Sequence, residues 1–257
     1  MTAKFDFHAH LDDERLKSIG ITKIINRAIK AGVDLIISNT INLKSFKENL
    51  QLSQDFPNLV KSTIGLQPLQ INQDSKIDIE KIEKIVESGE FKPIAIGEIG
   101  LDFYYQDKNK KDQIEIFERQ LNLAEKFNLT AIIHVRQSAA ETLAIIKNHP
   151  NLKFVCHSFA ENYVWAKNFL DRGGWLSFSA MITYPKNEEL RQTIKKLPLD
   201  RILIESDSPA LPPQSKRGQI NEPSFIEETA ARLSQVLNLD QNQLWLKLRQ
   251  NLNQVLA

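Results

Sequence analysis

The stretch Phe5-Asp6-Phe7-His8-Ala9-His10 decides the fold of this chain and the location of its chemistry. Residues two apart in a strand share a face, so Phe5, Phe7 and Ala9 fall on one side and Asp6, His8 and His10 on the other. The apolar side suits a layer of packed helices. Two imidazoles and a carboxylate on the opposite side then converge on an interior where an unpaired polar group is costly. A divalent cation satisfies such a set, because neutral imidazole nitrogen and carboxylate oxygen are its usual ligands. A hydrogen-bonded core pair would satisfy the two histidines equally well, and the stretch alone does not choose.

Working outward, short apolar runs alternate with longer amphipathic ones. The runs 4–8, 33–39, 60–65, 93–98, 130–135, 153–157, 175–180 and 201–205 read as strands. Helical periodicity covers 22–31, 45–56, 79–88, 111–127, 139–147, 162–170, 188–196, 224–237 and 241–255. Eight strands, each followed by a helix, predict an α/β fold: a single (β/α)8 barrel spanning residues 1–257, with no linker, internal repeat or composition shift to mark a second domain. A doubly wound open sheet shares the alternation. The strand count and the recurrence of polar residues at strand ends favour the barrel.

Of the 257 residues, 42% are hydrophobic and 25% charged, proportions that argue against disorder or a fibre. Lys and Arg number 33 against 32 acidic residues, so no overall basic surplus draws the chain to polyanions or membranes. A single cysteine, Cys156, excludes an internal disulfide framework. Charge arrives within a few residues of the start, and no apolar run approaches the ~20 residues of a membrane helix, so the expected location is cytoplasmic with no membrane contact. No obligatory protein partner is evident.

The polar ending of the first strand repeats elsewhere. Glu98 closes the fourth strand, His134 and Arg136 share a face of the fifth, His157 ends the sixth, and Glu205 and Asp207 end the eighth. In an eight-stranded barrel this is the end that carries catalytic residues. His8, His10, Glu98, His134, His157 and Asp207 together supply four imidazoles and two carboxylates. That exceeds the three protein ligands of one open catalytic zinc. It suits two divalent ions sharing a carboxylate, with Glu98 and Asp207 the candidate bridges.

At this point the chain resembles the TatD family of metal-dependent deoxyribonucleases, a branch of the amidohydrolase-like barrels. The matching motifs are DFHAH at 6–10, AIGEIGLDFYY at 95–105, IIHVR at 132–136, CHSF at 156–159, ESDSP at 205–209 and RGxxNEP at 217–223. They span nearly the whole chain in the family's order. The resemblance implies that His8, His10 and Asp207 hold one metal with Glu98, and that His134 and His157 hold the second with Glu98 bridging. It also implies cleavage of DNA phosphodiester bonds, trimming single strands from the 3′ side, with RNA a possible substrate and magnesium, manganese or zinc as the metal. The family's G-x-H-P segment is here Gly65-Leu66-Gln67-Pro68. Gln67 donates a hydrogen bond but neither carries a positive charge nor shuttles a proton.

The expected mechanism is two-metal activation of water, with Asp207 accepting a proton from that water. Arg136 is the expected phosphate fork; a salt bridge at the rim is its plainer reading. Glu205 and Asp6 are expected to orient ligand histidines from behind. The loop 101–111 mixes aromatics with lysines, and Tyr104 and Tyr105 either stack against bases or pack over the mouth, as Phe103 is expected to do. Arg217 and Asn221 are candidate contacts to phosphate or sugar, and Asn221 equally a helix cap ahead of Pro223. Cys156 reads as a small buried residue, His149 as a solvated helix end, and Trp165 and Trp245 as packing residues. Two other functions fit the metals: hydrolysis of another ester or amide, such as an aminoacyl ester on RNA or a lactone, and a retired barrel that only binds.

Overall fold

The computed structural model describes residues 3–72, 74–105 and 109–257. The strands are β1 (Lys4–Ala9), β2 (Val33–Ser38), β3 (Val60–Ser62), β4 (Ala95–Asp102), β5 (Thr130–Arg136), β6 (Phe154–Cys156), β7 (Trp175–Phe178) and β8 (Ile202–Ile204). Between them run α1 (Glu14–Ile19), α2 (Ile21–Lys30), α3 (Leu43–Asp55), α4 (Ser75–Ser88), α5 (Lys110–Lys126), α6 (Ala139–Ile146), α7 (Tyr163–Asp171) and α8 (Glu188–Ile194), and α9 (Ile226–Leu237) and α10 (Gln241–Leu256) end the chain.

Every strand pairing is parallel and joins neighbours in sequence, β1 to β3 in one set and β4 to β8 in the other. Two seams close these sets into the expected barrel. At one, Ile64 pairs with Ile96, and Gly97 N donates to Ile64 O at 2.9 Å. At the other, Ala9 pairs with Ser208, His10 N donates to Ser208 O at 2.8 Å and Asp207 N donates to His8 O at 2.9 Å. The β3–β4 seam is thin because β3 is short and the Thr63 hydroxyl takes up groups that a ladder would otherwise pair: it accepts from Thr40 N and donates to Gly97 O.

The alternation in β1 holds. Phe5, Phe7 and Ala9 are fully buried, and Phe5 meets Trp245 of α10 edge-on with ring centroids 5.8 Å apart. The same helix is fixed by Asn251, whose amide donates to Leu199 O at 2.7 Å and Ile202 O at 2.8 Å. Trp245→Ala should therefore destabilise the metal-free protein by about 3–5 kcal/mol, because the indole is deeply buried and its cavity cannot collapse against a strand. Urea denaturation measures this, and a loss below about 1 kcal/mol would contradict the packing described.

Four features depart from the sequence reading. The helix α1 has no counterpart in it. Strand β4 continues past Glu98 to Asp102, so the loop begins later than expected. His149 is buried, with Nδ1 3.1 Å from Glu125 Oε2, instead of solvated. Finally, β6 and β8 end early, so that His157 and Asp207 stand on the turns beyond them.

Candidate metal centre

All six donors gather at the mouth of the barrel. Glu98 stands at the centre, buried, with its two oxygens facing opposite ways. Oε1 lies 3.0 Å from both His134 Nδ1 and His157 Nε2, while Oε2 lies 3.4 Å from His10 Nε2 and 3.5 Å from His8 Nε2. Asp207 Oδ1 stands further off, 3.8 Å from His10 Nε2 and 4.0 Å from His8 Nε2. Donor atoms of His8, His10 and Glu98 form one compact group, and those of Glu98, His134 and His157 another. A third set joins His8, His157 and Asp207.

The tautomers follow from the groups behind the rings. His10 Nδ1 faces the Asn39 carbonyl at 3.1 Å, His134 Nε2 faces Asp102 Oδ2 at 3.0 Å, and His157 Nδ1 faces Glu205 Oε1 at 3.2 Å. Those partners only accept, so each of these nitrogens carries a hydrogen, and the other nitrogen, once free of any proton, is the one that offers a lone pair to a cation. Within the cluster, His8 Nε2 and His10 Nε2 are 3.2 Å apart, as are His134 Nδ1 and His157 Nε2. Two neutral rings would set lone pairs against each other at that distance unless something positive, a proton or a metal cation, lies between them. A tetrahedral cation with bonds of about 2.0–2.1 Å holds its ligand atoms roughly 3.3–3.4 Å apart. Glu98 Oε2 is buried without a hydrogen-bond partner, which is the condition of a ligand oxygen waiting for a cation. The residues fit divalent metal.

Local sequence places these groups. Glu98, Gly100 and Asp102 share the inner face of β4. A Cβ on Gly100 would lie 2.2 Å from the His134 carbonyl oxygen, and its φ is 132°, so glycine is needed for β4 and β5 to meet beside His134. Asp207 adopts a φ of 57°, in the left-handed region that aspartate tolerates. His8 and His157 stack with centroids 4.0 Å apart.

Electrostatics follow from burial against charge. Burial and the nearby His157 push His8 down to about 4. Burial presses on His157 too, but the Glu98 and Glu205 carboxylates outweigh it and hold the ring well above the usual imidazole range. Asp102 and Glu98 likewise overcome burial at His134 and raise it. Glu98 itself, despite burial, is held well below the carboxylate range by the imidazoles around it. Burial lifts Asp207 to about 6 and Asp6 to about 7.

Because His134 and His157 hold protons above their ordinary values, metal must displace those protons, and its apparent affinity should fall as pH falls. Displacement of both gives a change of up to roughly a hundredfold per pH unit below the raised values. Calorimetric metal titration at pH 6, 7 and 8, in buffers of different ionisation enthalpy, reads the proton release directly. Affinity independent of pH over that span would be inconsistent with imidazole ligation.

The other sequence candidates are distributed around this centre. Gln67 Nε2 donates to Glu98 Oε1 at 3.3 Å, so the residue standing where the family has histidine touches the shared carboxylate. Glu205 lies behind His157, with Oε1 3.2 Å from its Nδ1. Asp6 backs no ligand ring; it accepts from the backbone N and hydroxyl of Ser206 and so steadies the turn that carries Asp207. Arg136 projects from the end of β5 with its guanidinium 4.4 Å from the Tyr104 ring and 4.5 Å from the Tyr105 ring. No ion pair to Arg136 occurs among the described residues. Tyr104 and Tyr105 are 53% and 61% exposed, whereas Phe103 is buried beneath Lys110 and packs as expected. Gln106, Asp107 and Lys108, the centre of the expected aromatic and basic loop, lie outside the described residues.

Arg217 lies over the Tyr184 ring at 4.8 Å, in a cleft of about 600 Å³ between the turns that follow β6, β7 and β8. Asn221 is a correction. It is fully buried, its amide donates to the carbonyls of Ser206 and Ala210 at 2.7 Å each, and it neither reaches the mouth nor caps the helix beyond Pro223. Asp102, which sequence reasoning missed, was visible only as the next inward position after Glu98 and Gly100.

A parallel barrel with an imidazole and carboxylate cluster at its mouth defines a class, the metal-dependent hydrolases. The family model described as TatD related DNase matches residues 5–257, and the chain belongs to the TatD family. It is 33% identical over 238 residues to an uncharacterized metal-dependent hydrolase of Buchnera aphidicola, covering 91% of this chain and 88% of that one. It is 32% identical over 229 residues to YcfH of Escherichia coli K12, also an uncharacterized metal-dependent hydrolase, covering 88% and 84%. The crystal structure of the TatD homolog YjjV from Escherichia coli K12 superposes with a TM-score of 0.92 at 27% identity, covering 98% of this chain and 97% of that one. Among the described residues no helix is long and apolar enough to cross a membrane.

Proposed function

We propose that the chain is a cytoplasmic deoxyribonuclease that trims single-stranded DNA from its 3′ end, with two divalent cations gathered about the shared Glu98 carboxylate. The observation that carries the reading is Arg136 lying against the exposed rings of Tyr104 and Tyr105 at the rim of the metal cluster. A guanidinium there pairs bidentately with a phosphate, and the rings offer the π-faces on which bases stack. The cleft beside Arg217 and Tyr184 is of a size for a nucleotide and opens to the surface, as a strand end requires.

Divalent cations, when bound, polarise the phosphoryl group and lower the pKa of water. The chain's own groups do the rest. Glu98 balances charge at both poles through its two oxygens, and His10, His134 and His157 are kept as lone-pair donors by Asn39, Asp102 and Glu205. Asp207, less buried than Glu98 and fixed by its backbone N–H to His8 O, takes the proton from the attacking water at a carboxylate oxygen. Arg136 and Arg217 hold phosphates on either side of the scissile bond.

The test is incubation with labelled single-stranded DNA, a 3′-blocked version and an aminoacyl-RNA ester, across magnesium, manganese and zinc with a chelator control. Metal-dependent shortening of the unblocked strand alone supports the reading. Turnover of the ester with both DNA strands intact favours the second reading, a hydrolase of another ester or amide, to which Gln67 lends support because it brings no titratable proton to Glu98.

A further inference from the structure

We infer that Asp102 is a positioning residue whose single carboxylate ties metal binding at His134 and His157 to the ordering of the Tyr104–Tyr105 turn. The second half of this inference rests on the nuclease reading, since the turn is the proposed seat of the strand. Asp102 is fully buried at the end of β4. Its Oδ2 receives the Nε2 hydrogen of His134 at 3.0 Å, and its Oδ1 accepts the backbone N–H groups of Tyr104 and Tyr105 at 2.9 Å each. Its own backbone is clamped by Gln113, which accepts from Asp102 N at 2.9 Å and donates to Asp102 O at 3.1 Å. With the main chain held, the carboxylate moves only by rotation about Cα–Cβ and Cβ–Cγ, and either rotation moves both oxygens together.

Two consequences follow. The hydrogen on Nε2 keeps the Nδ1 lone pair of His134 turned to Glu98 and the metal position. A cation drawing on Nδ1 also makes Nε2–H a stronger donor, which fixes Oδ2, and with it Oδ1 and the turn it holds. Arg136, two residues beyond His134 on β5, lies against the same two rings, so a strand seated on them stiffens the turn from the other side. Coupling of this kind is reciprocal: a strand that tightens metal binding is itself bound more tightly when metal is present.

The probes are manganese(II), followed by its spin resonance, and a short phosphorothioate single strand that resists hydrolysis. In the wild-type protein the strand should tighten, several-fold, the manganese site of His134 and His157, which has fewer donors than the His8, His10 and Asp207 side and is the weaker of the two. In Asp102→Asn the new amide donates to His134 Nε2 and drives the ring hydrogen onto Nδ1. The weaker site should then lose roughly ten- to a hundredfold in affinity, the other site should keep its affinity, and the effect of the strand should vanish. Deuterium exchange at the Tyr104 and Tyr105 amides of the wild-type protein needs no variant and should slow when manganese is added. Wild-type affinity at both sites of Asp102→Asn overturns the inference, as does exchange at those amides that ignores manganese. If the strand fails to bind the wild-type protein at all, the nuclease reading falls, while the manganese and exchange measurements still decide the role of Asp102.

Discussion

Glu98→Gln should abolish metal-dependent hydrolysis, lowering kcat/KM by at least about 10⁴-fold, equivalent to roughly 5.5 kcal/mol of transition-state stabilisation. The size of the effect follows from how fully this carboxylate is used. One oxygen faces His134 and His157, the other His8 and His10. A glutamine amide has one acceptor oxygen and one NH2 group. Whichever way it is turned, one pole meets hydrogens where it needs a lone pair, and both poles lose the negative charge that offsets a divalent ion. Elemental analysis after equilibration with metal should therefore find at most one ion per chain. In the metal-free protein, His134 and His157 lose one of the two anions that raise each of them, leaving Asp102 and Glu205 in place, so both should titrate at lower pH than in the wild type. Two tightly held ions with near wild-type turnover would remove Glu98 from the centre of the argument.

Asp207→Asn should separate chemistry from metal holding. The Asp207 oxygen stands further from the histidines than Glu98 does, at 3.8 and 4.0 Å, and the asparagine oxygen remains available as a weak ligand. What is lost is a base. Removal of a positioned general base costs typically 10²–10⁴-fold, and kcat should fall by about 10³-fold or more while metal content and KM change little. Burial lifts this carboxyl to about 6 in the metal-free protein, and a neighbouring cation lowers it, so the acid limb of the wild-type profile should lie at or below pH about 6. The sign is that of a base: activity is lost as pH falls and the carboxylate takes up its proton. A variant with wild-type kcat, or one that loses its metal together with its activity, would refute this assignment.

The barrel and the six donors were legible because both are periodic. Apolar runs spaced by amphipathic ones gave the strand order, and an ionisable residue on the inward face at the end of a strand marked each donor. What was hidden depends on partners remote in sequence. The helix α1 has six residues and buries only Leu16, too little for a helical period to register. Leu101 and Asp102 read as the start of a loop, yet β4 continues through them because Val135 and Arg136 on β5 supply its ladder. His149 is drawn inward by Glu125, and Asn221 by the carbonyls of the turn after β8; neither neighbour is adjacent in the chain. The family resemblance singled out the six donors but not Asp102, because its contact with His134 exists only once β4 and β5 lie side by side.

The seam between β1 and β8 carries a consequence for biosynthesis. His8 and His10 leave the ribosome early and Asp207 emerges late, yet hydrogen bonds across that seam bring them to one pole of the cluster. A nascent chain with seven strands therefore has an open gap where Asp207 belongs. The donor set is therefore complete only when the ring closes, and an unfinished or truncated product lacks the full site.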